Sequence, residues 1–133
     1  MPSARPLKGA PILGVDDDID ALIVLQTHLD SAGFTFFGAT SGEEALKLAR
    51  RVAPRLIILD VMMRGLDGFE ICRRLRLDPA QAGVPILLLT ARKTEADVLQ
   101  AKAAGADDFI VKPFDAAQLA GRVRHWLDRD RRR

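Results

Sequence analysis

Cysteine occurs once in this chain of 133 residues, at Cys72, so no disulfide can form within it. No apolar run approaches the ~18 residues that a membrane-spanning helix needs. Neither sign of charge dominates. Twenty Lys and Arg face 18 Asp and Glu, for a net charge of +2, which gives no general argument for nucleic acid or a membrane as partner. The start of the chain, Met1-Pro2-Ser3-Ala4-Arg5-Pro6-Leu7-Lys8-Gly9-Ala10-Pro11, lacks the apolar centre of a signal peptide. With Cys72 as the single cysteine, a cytoplasmic protein is the default expectation. Three prolines in that stretch suggest a loose tail over residues 1–10. The one local excess of charge is Arg122, Arg124, Arg129, Arg131, Arg132 and Arg133. It reads as a solvated helix end followed by a basic tail or linker at 129–133. Asp128 and Asp130 dilute it and no aromatic residues interleave, so direct nucleic-acid binding is not expected.

Apolar residues make up 48% of the chain, enough for one domain with a real core, placed at residues 11–128. Leu56-Ile57-Ile58-Leu59 is an unbroken aliphatic run ending in Asp60. Such a run suits a strand buried on both faces, as in a parallel sheet covered by helices. Ile86-Leu87-Leu88-Leu89 repeats the pattern and ends in Thr90. Ile12-Leu13-Gly14-Val15 is a third strand, running into Asp16-Asp17-Asp18. Phe34 to Ala39 and Asp108 to Val111 read as a mixed strand and a short one, both placed at edges.

Helical spacing fills the gaps. The first helix carries Ile19, Leu22, Ile23 and Leu29 as apolar positions, with Gly33 as its C-terminal cap. Ser41 with Glu44 reads as a capping box opening the second. The third starts near Gly68 and buries Ile71, Cys72 and Leu75. The fourth, Thr94 to Ala104, is thin in large side chains and is a candidate for movement. The fifth, capped by Asp115 with Gln118, buries Leu119, Val123, Trp126 and Leu127. Five strands alternating with five helices predict an α/β, doubly wound parallel sheet of order 2-1-3-4-5, flavodoxin-like, with its switch point between the first and third strands.

In that arrangement Asp16, Asp17, Asp60, Thr90 and Lys112 all end strands along one edge. Two unit charges about 4 Å apart cost on the order of 4 kcal/mol at an effective dielectric of 20. Clustered carboxylates therefore call for cations, and oxygen ligands with room for water suit Mg²⁺. A metal and a lysine around an aspartate fit phosphoryl transfer to that carboxylate. Thr90 is placed to donate a hydroxyl hydrogen bond to a phosphoryl oxygen. Singly, each residue has an ordinary reading, such as an acidic helix cap. Together they do not.

Four pieces resemble the bacterial two-component response-regulator receiver domain, of chemotaxis-regulator-like fold. They are Val15-Asp16-Asp17-Asp18, Leu59-Asp60-Val61-Met62-Met63 with Asp67-Gly68, Leu89-Thr90-Ala91, and Gly105 through Phe114. The resemblance implies that Asp60 is the phospho-acceptor for a histidine kinase's phosphohistidine. It implies Mg²⁺ held by Asp17, Asp60 and the Met62 carbonyl, with Asp16 acting through metal-bound water. Lys112 would pair with the phosphate, the Lys112–Pro113 bond would be cis, and Thr90 and Phe109 would be a switch pair. The face of the fourth helix, fifth strand and fifth helix would carry the signal. The implied partners are a sensor histidine kinase or phosphotransfer protein, an output domain or downstream protein, and a second copy in a phosphorylation-dependent homodimer. Asp107, Asp108 and Arg122 are candidates for that last face. The chain would be a phospho-acceptor switch rather than an enzyme.

Arg64 departs from the family, which usually has proline there. An enzyme of the haloacid-dehalogenase type also uses an aspartyl phosphate, and Asp16-Asp17-Asp18 gives a superficial D-x-D. However, Asp20 stands where that family wants Thr or Val, and Asp60 would have no use. A receiver fold that is never phosphorylated is the remaining alternative, although no pocket residue is missing.

Overall fold

The computed structural model describes residues 7–65, 67–91 and 94–129. Residues 1–6, Leu66, Arg92, Lys93 and residues 130–133 therefore lie outside it, and with them most of the expected N-terminal tail and of the basic tail at 129–133.

Strands β1 (Pro11–Val15), β2 (Thr35–Ala39), β3 (Leu56–Asp60), β4 (Ile86–Thr90) and β5 (Asp108–Val111) form one parallel sheet of order β2-β1-β3-β4-β5. Every residue of β3 and of β4 is buried, as their unbroken apolar runs require. Edge strand β2 is mixed, with Thr35 exposed and Ala39 buried.

Helices α1 (Ile19–Ser31), α2 (Gly42–Val52), α3 (Gly68–Leu77), α4 (Glu95–Ala104) and α5 (Ala116–Asp128) cover both faces. Strand alternation sends Leu13, Val15, Ile57, Leu59, Ile86 and Leu88 to the core shared with α2, α3 and α4. It sends Ile12, Ile58, Leu87 and Leu89 to the core shared with α1 and α5.

Local chemistry sets the helix ends. Asp18, Ser41, Asp67, Thr94 and Asp115 each accept a hydrogen bond from a first-turn N–H. Capping boxes close at Thr94 with Asp97 and at Asp115 with Gln118. The Ser41 box is altered: Glu44 reaches past Ser41 to the Thr40 N–H at 2.6 Å. Helix α1 ends at Ala32, with Gly33 following at φ 94°. Ile19 and Ile23 face solvent, and the buried stripe is Leu22, Leu25 and Leu29. Trp126 is half-buried, because its indole N–H turns outward to Asp108 Oδ2 at 2.9 Å.

The expected loose tail is docked from Leu7 onward. Leu7 packs on the core shared with α1 and α5, Ala10 is buried, and the Gly9 N–H donates to the Gly33 carbonyl at 2.6 Å. At the same amino edge of the parallel strands, toward β5, Arg76 ties α3 to the start of β5. Its Nη2 lies 2.7 Å from Asp107 Oδ2, and its Nε donates to the Gly105 carbonyl at 2.8 Å. Gly105 has φ 92°, and a Cβ there would meet Arg76 Cγ at 2.8 Å, so glycine serves both the turn and the approach.

Candidate functional site

The carboxyl edge of the sheet gathers the predicted residues. The Asp16 N–H donates to the Ala39 carbonyl at 3.1 Å and carries the β1 ladder one step past Val15. The Val61 N–H donates to the Leu89 carbonyl at 2.9 Å, fixing the chain just after Asp60. The Lys112 N–H donates to the Thr90 carbonyl at 2.7 Å, fixing Lys112 beside the end of β4. Asp16, Asp60 and Thr90 are 2%, 6% and 8% exposed, respectively. Buried polar side chains of this kind are held where partners or a ligand offset their lost hydration.

Lys112 Nζ lies 3.3 Å from Asp60 Oδ1, so the strand-end lysine reaches the strand-end aspartate. The Lys112–Pro113 bond is cis. Asp16 Oδ1 accepts from the Asp18 N–H at 3.0 Å. Burial pushes the Asp16 carboxyl up from 3.8 to about 6, and the charges of Asp60 and Asp17 push the same way. The Asp18 N–H and Lys112 oppose the rise without cancelling it. The third residue of the acidic run is a cap: Asp18 Oδ1 accepts from the Asp20 N–H at 3.0 Å.

Asp17 Oδ2 accepts from the Arg64 N–H at 2.9 Å, and Arg64 Nε lies 3.6 Å from the same oxygen. This pairing spans 47 positions, a separation that no local spacing pattern reveals. Its only sequence signal is Arg64 itself, where the related family usually has proline. Gly68, which the sequence marks as a helix start and as part of the receiver-like motif, has a further role at the backbone of Asp60. A Cβ there would lie 2.5 Å from the Asp60 carbonyl oxygen, so glycine lets α3 begin against the backbone of Asp60.

An open cleft of about 950 Å³ runs from Asp17 and Thr90 across Met62 and Arg64 to Asp97 and Gln100 of α4. Met62 is exposed at its mouth. Phe109 pairs with Leu88 and packs half-buried on the α2–α4 side of the sheet. Thr90, two residues beyond Leu88 on the neighbouring strand, is directed to that same side. Cys72 is buried and its thiol is pushed up to about 11 by burial, so it is inert packing. On the face of α4, β5 and α5, Asp107 is engaged by Arg76, while Asp108 Oδ2 accepts from Arg122 Nη1 at 2.8 Å.

Among the described residues, no three His, Cys, Asp or Glu side chains close into a ready-made metal cage. Mg²⁺ does not need one. It keeps several waters and takes one or two carboxylates. The donor set suits such an ion: the buried carboxyls of Asp16 and Asp60 and the half-buried Asp17 share one sheet edge that opens to solvent, and a divalent cation there would offset their mutual repulsion. Among the described residues, no helix is long and apolar enough to cross a membrane.

A parallel 2-1-3-4-5 sheet with an acidic cluster, a threonine and a lysine at its carboxyl edge defines the receiver class. The chain belongs to the response regulator receiver domain family, whose profile matches residues 12–124. Among its relatives, it is 43% identical over 121 residues to the transcriptional regulatory protein AfsQ1 of Streptomyces coelicolor, covering 91% of this chain and 52% of that protein. It is 42% identical over 118 residues to the alkaline phosphatase synthesis transcriptional regulatory protein PhoP of Bacillus subtilis, covering 89% and 48%. The chain thus spans about half the length of these curated relatives.

Among solved structures, it resembles the chemotaxis protein CheY4 of Vibrio cholerae, at 33% identity and a TM-score of 0.85, covering 87% of this chain and 97% of that one. It also resembles the receiver domain of the sensor histidine kinase PA1611 of Pseudomonas aeruginosa, at 30% identity and a TM-score of 0.83, covering 90% and 98%. That structure has a magnesium ion coordinated in its active-site cleft.

Proposed function

We infer that this receiver domain accepts a phosphoryl group on Asp60 from a histidine kinase or phosphotransfer protein. It then passes the change to the face of α4, β5 and α5. The observation that carries this reading is the contact of Lys112 Nζ with Asp60 Oδ1 at 3.3 Å, beside the buried Asp16 and its neighbour Asp17. In the transfer, an Asp60 oxygen forms the new O–P bond while the N–P bond of a phosphohistidine breaks. The electron pair leaves on the imidazole nitrogen. Asp17, Asp60 and the Met62 carbonyl are the proposed Mg²⁺ ligands, with Asp16 acting through bound water. The ion supplies neutralisation of the phosphoryl oxygens. Lys112 holds one of those oxygens, and Thr90 donates its hydroxyl to another.

Drawing Thr90 inward vacates space on the side of the sheet that Phe109 occupies. The Phe109 ring, which has no hydroxyl to satisfy, turns into it. The proposed readers of the altered face are an output domain, a downstream protein or a second copy, in a cytoplasmic setting. The chain acts as a switch that promotes its own phosphorylation and dephosphorylation, not as an enzyme on other substrates.

The test is a titration with beryllofluoride and Mg²⁺, followed by amide NMR. Wild type is expected to shift around Asp60, Phe109 and residues 94–104. Thr90→Ala is expected to keep the shifts around Asp60 and lose those along α4. The full wild-type pattern in that variant would remove Thr90 as the relay.

A further inference from the structure

Proline at position 64 would offer no main-chain N–H. Arg64 offers one and donates it to Asp17 Oδ2 at 2.9 Å, while its guanidinium Nε lies 3.6 Å from the same oxygen. One residue thus brings a hydrogen bond and a full positive charge to a carboxylate of the cation site. Lys112 does the corresponding thing at Asp60, at 3.3 Å. Each of the two direct carboxylate ligands therefore already carries a cation from its own chain. The two cations differ in how readily they can leave. The Arg64 side chain is 96% exposed, so it can swing into solvent without opening the core.

We propose that Arg64 is a resident competitor for the divalent-cation site. It holds Asp17 in the metal-free protein, gives way when Mg²⁺ binds, and so raises the Mg²⁺ concentration at which the site fills. The proposal rests on the acidic edge being a Mg²⁺ site and adds the residue that sets its affinity. The guanidinium acts through charge. An exposed ion pair shifts an equilibrium only about two- to fivefold, and salt screens it within about 10 Å at 0.1 M ionic strength.

The experiment is a Mg²⁺ titration of the full chain, read by the amide shifts of Asp17, Asp60 and Arg64. It compares wild type, Arg64→Gln, Arg64→Lys and Asp17→Asn. At low salt Arg64→Gln is expected to bind Mg²⁺ about two- to fivefold more tightly than wild type. Arg64→Lys, which keeps the charge, should stay near wild type, and the gap should close on the order of 1 M salt. The Arg64 amide should move in step with Mg²⁺ occupancy. Equal affinities for wild type and Arg64→Gln at low salt, with Asp17→Asn weakened, would overturn the competitor and leave the metal site standing. A gain in Arg64→Gln that persists at high salt would assign the effect to loop shape and overturn it too. If Mg²⁺ moves neither Asp17 nor Asp60 in any protein, the metal site falls and takes the inference with it.

Discussion

At the scale of single residues, Asp16 and Gly68 show what the site costs the fold. Asp16 is buried, and its carboxyl is raised to about 6 from 3.8, chiefly by burial. A carboxyl whose folded value lies above its unfolded value favours folding below the unfolded value. That contribution is lost as pH rises through about 6. In chelator-treated protein, Asp16→Asn should therefore leave stability at pH 4 nearly unchanged and raise it at pH 8. The gain should be about 1–2 kcal/mol, after allowing for water at the open edge of the cluster. Urea unfolding at the two pH values checks this, and an equal effect at both would contradict it. At Gly68 a Cβ would meet backbone atoms, 2.5 Å from the Asp60 oxygen and 2.9 Å from Val61 Cα, so no side chain can swing aside to admit it. Gly68→Ala should cost about 1–3 kcal/mol and move the Asp60 amide resonance. A variant as stable as wild type with an unmoved Asp60 would contradict the close approach.

At the scale of elements, α4 stands apart from α3. Helix α3 buries Phe69, Ile71, Cys72 and Leu75, whereas α4 buries only Ala101 and Ala104 and leaves Leu99 exposed. Little apolar surface is lost when α4 shifts, so it should open locally before its neighbour. Native-state hydrogen exchange should be faster for residues 98–104 than for residues 71–77. Equal protection would contradict a mobile signalling helix.

The thinness of α4 was legible in its alanines, as the centrality of β3 and β4 was in their aliphatic runs. The face of α1 was not. Ile19, Leu22, Ile23, Val24 and Leu25 put apolar groups nearly all round its first turns. Periodicity alone then cannot choose the buried stripe, and packing against β2, α5 and β1 leaves Ile19 and Ile23 outside. The strand-end residues of the site were legible because a parallel sheet sends every strand end to one edge. The Arg64–Asp17 pairing was not, because it depends on the path of a loop 47 residues away.

At the scale of the whole molecule, the sheet separates two hydrophobic cores. Helices α1 and α5 share one core, and α2, α3 and α4 the other, while the acidic residues lie at the carboxyl edge of the sheet between them. Asp108 joins β5 to α5 through both Arg122 and Trp126. A change that turns Phe109, the next residue, is therefore well placed to disturb both elements of that face. The proposed signalling role depends on Asp60 taking the phosphoryl group. Incubating wild type and Asp60→Asn with acetyl phosphate and Mg²⁺, then mapping the label by mass spectrometry, tests that most directly. One acid-stable, base-labile phosphoryl group is expected on Asp60 and none on the variant. Undiminished labelling of Asp60→Asn, with the phosphate on Asp16 or Asp17, would contradict it.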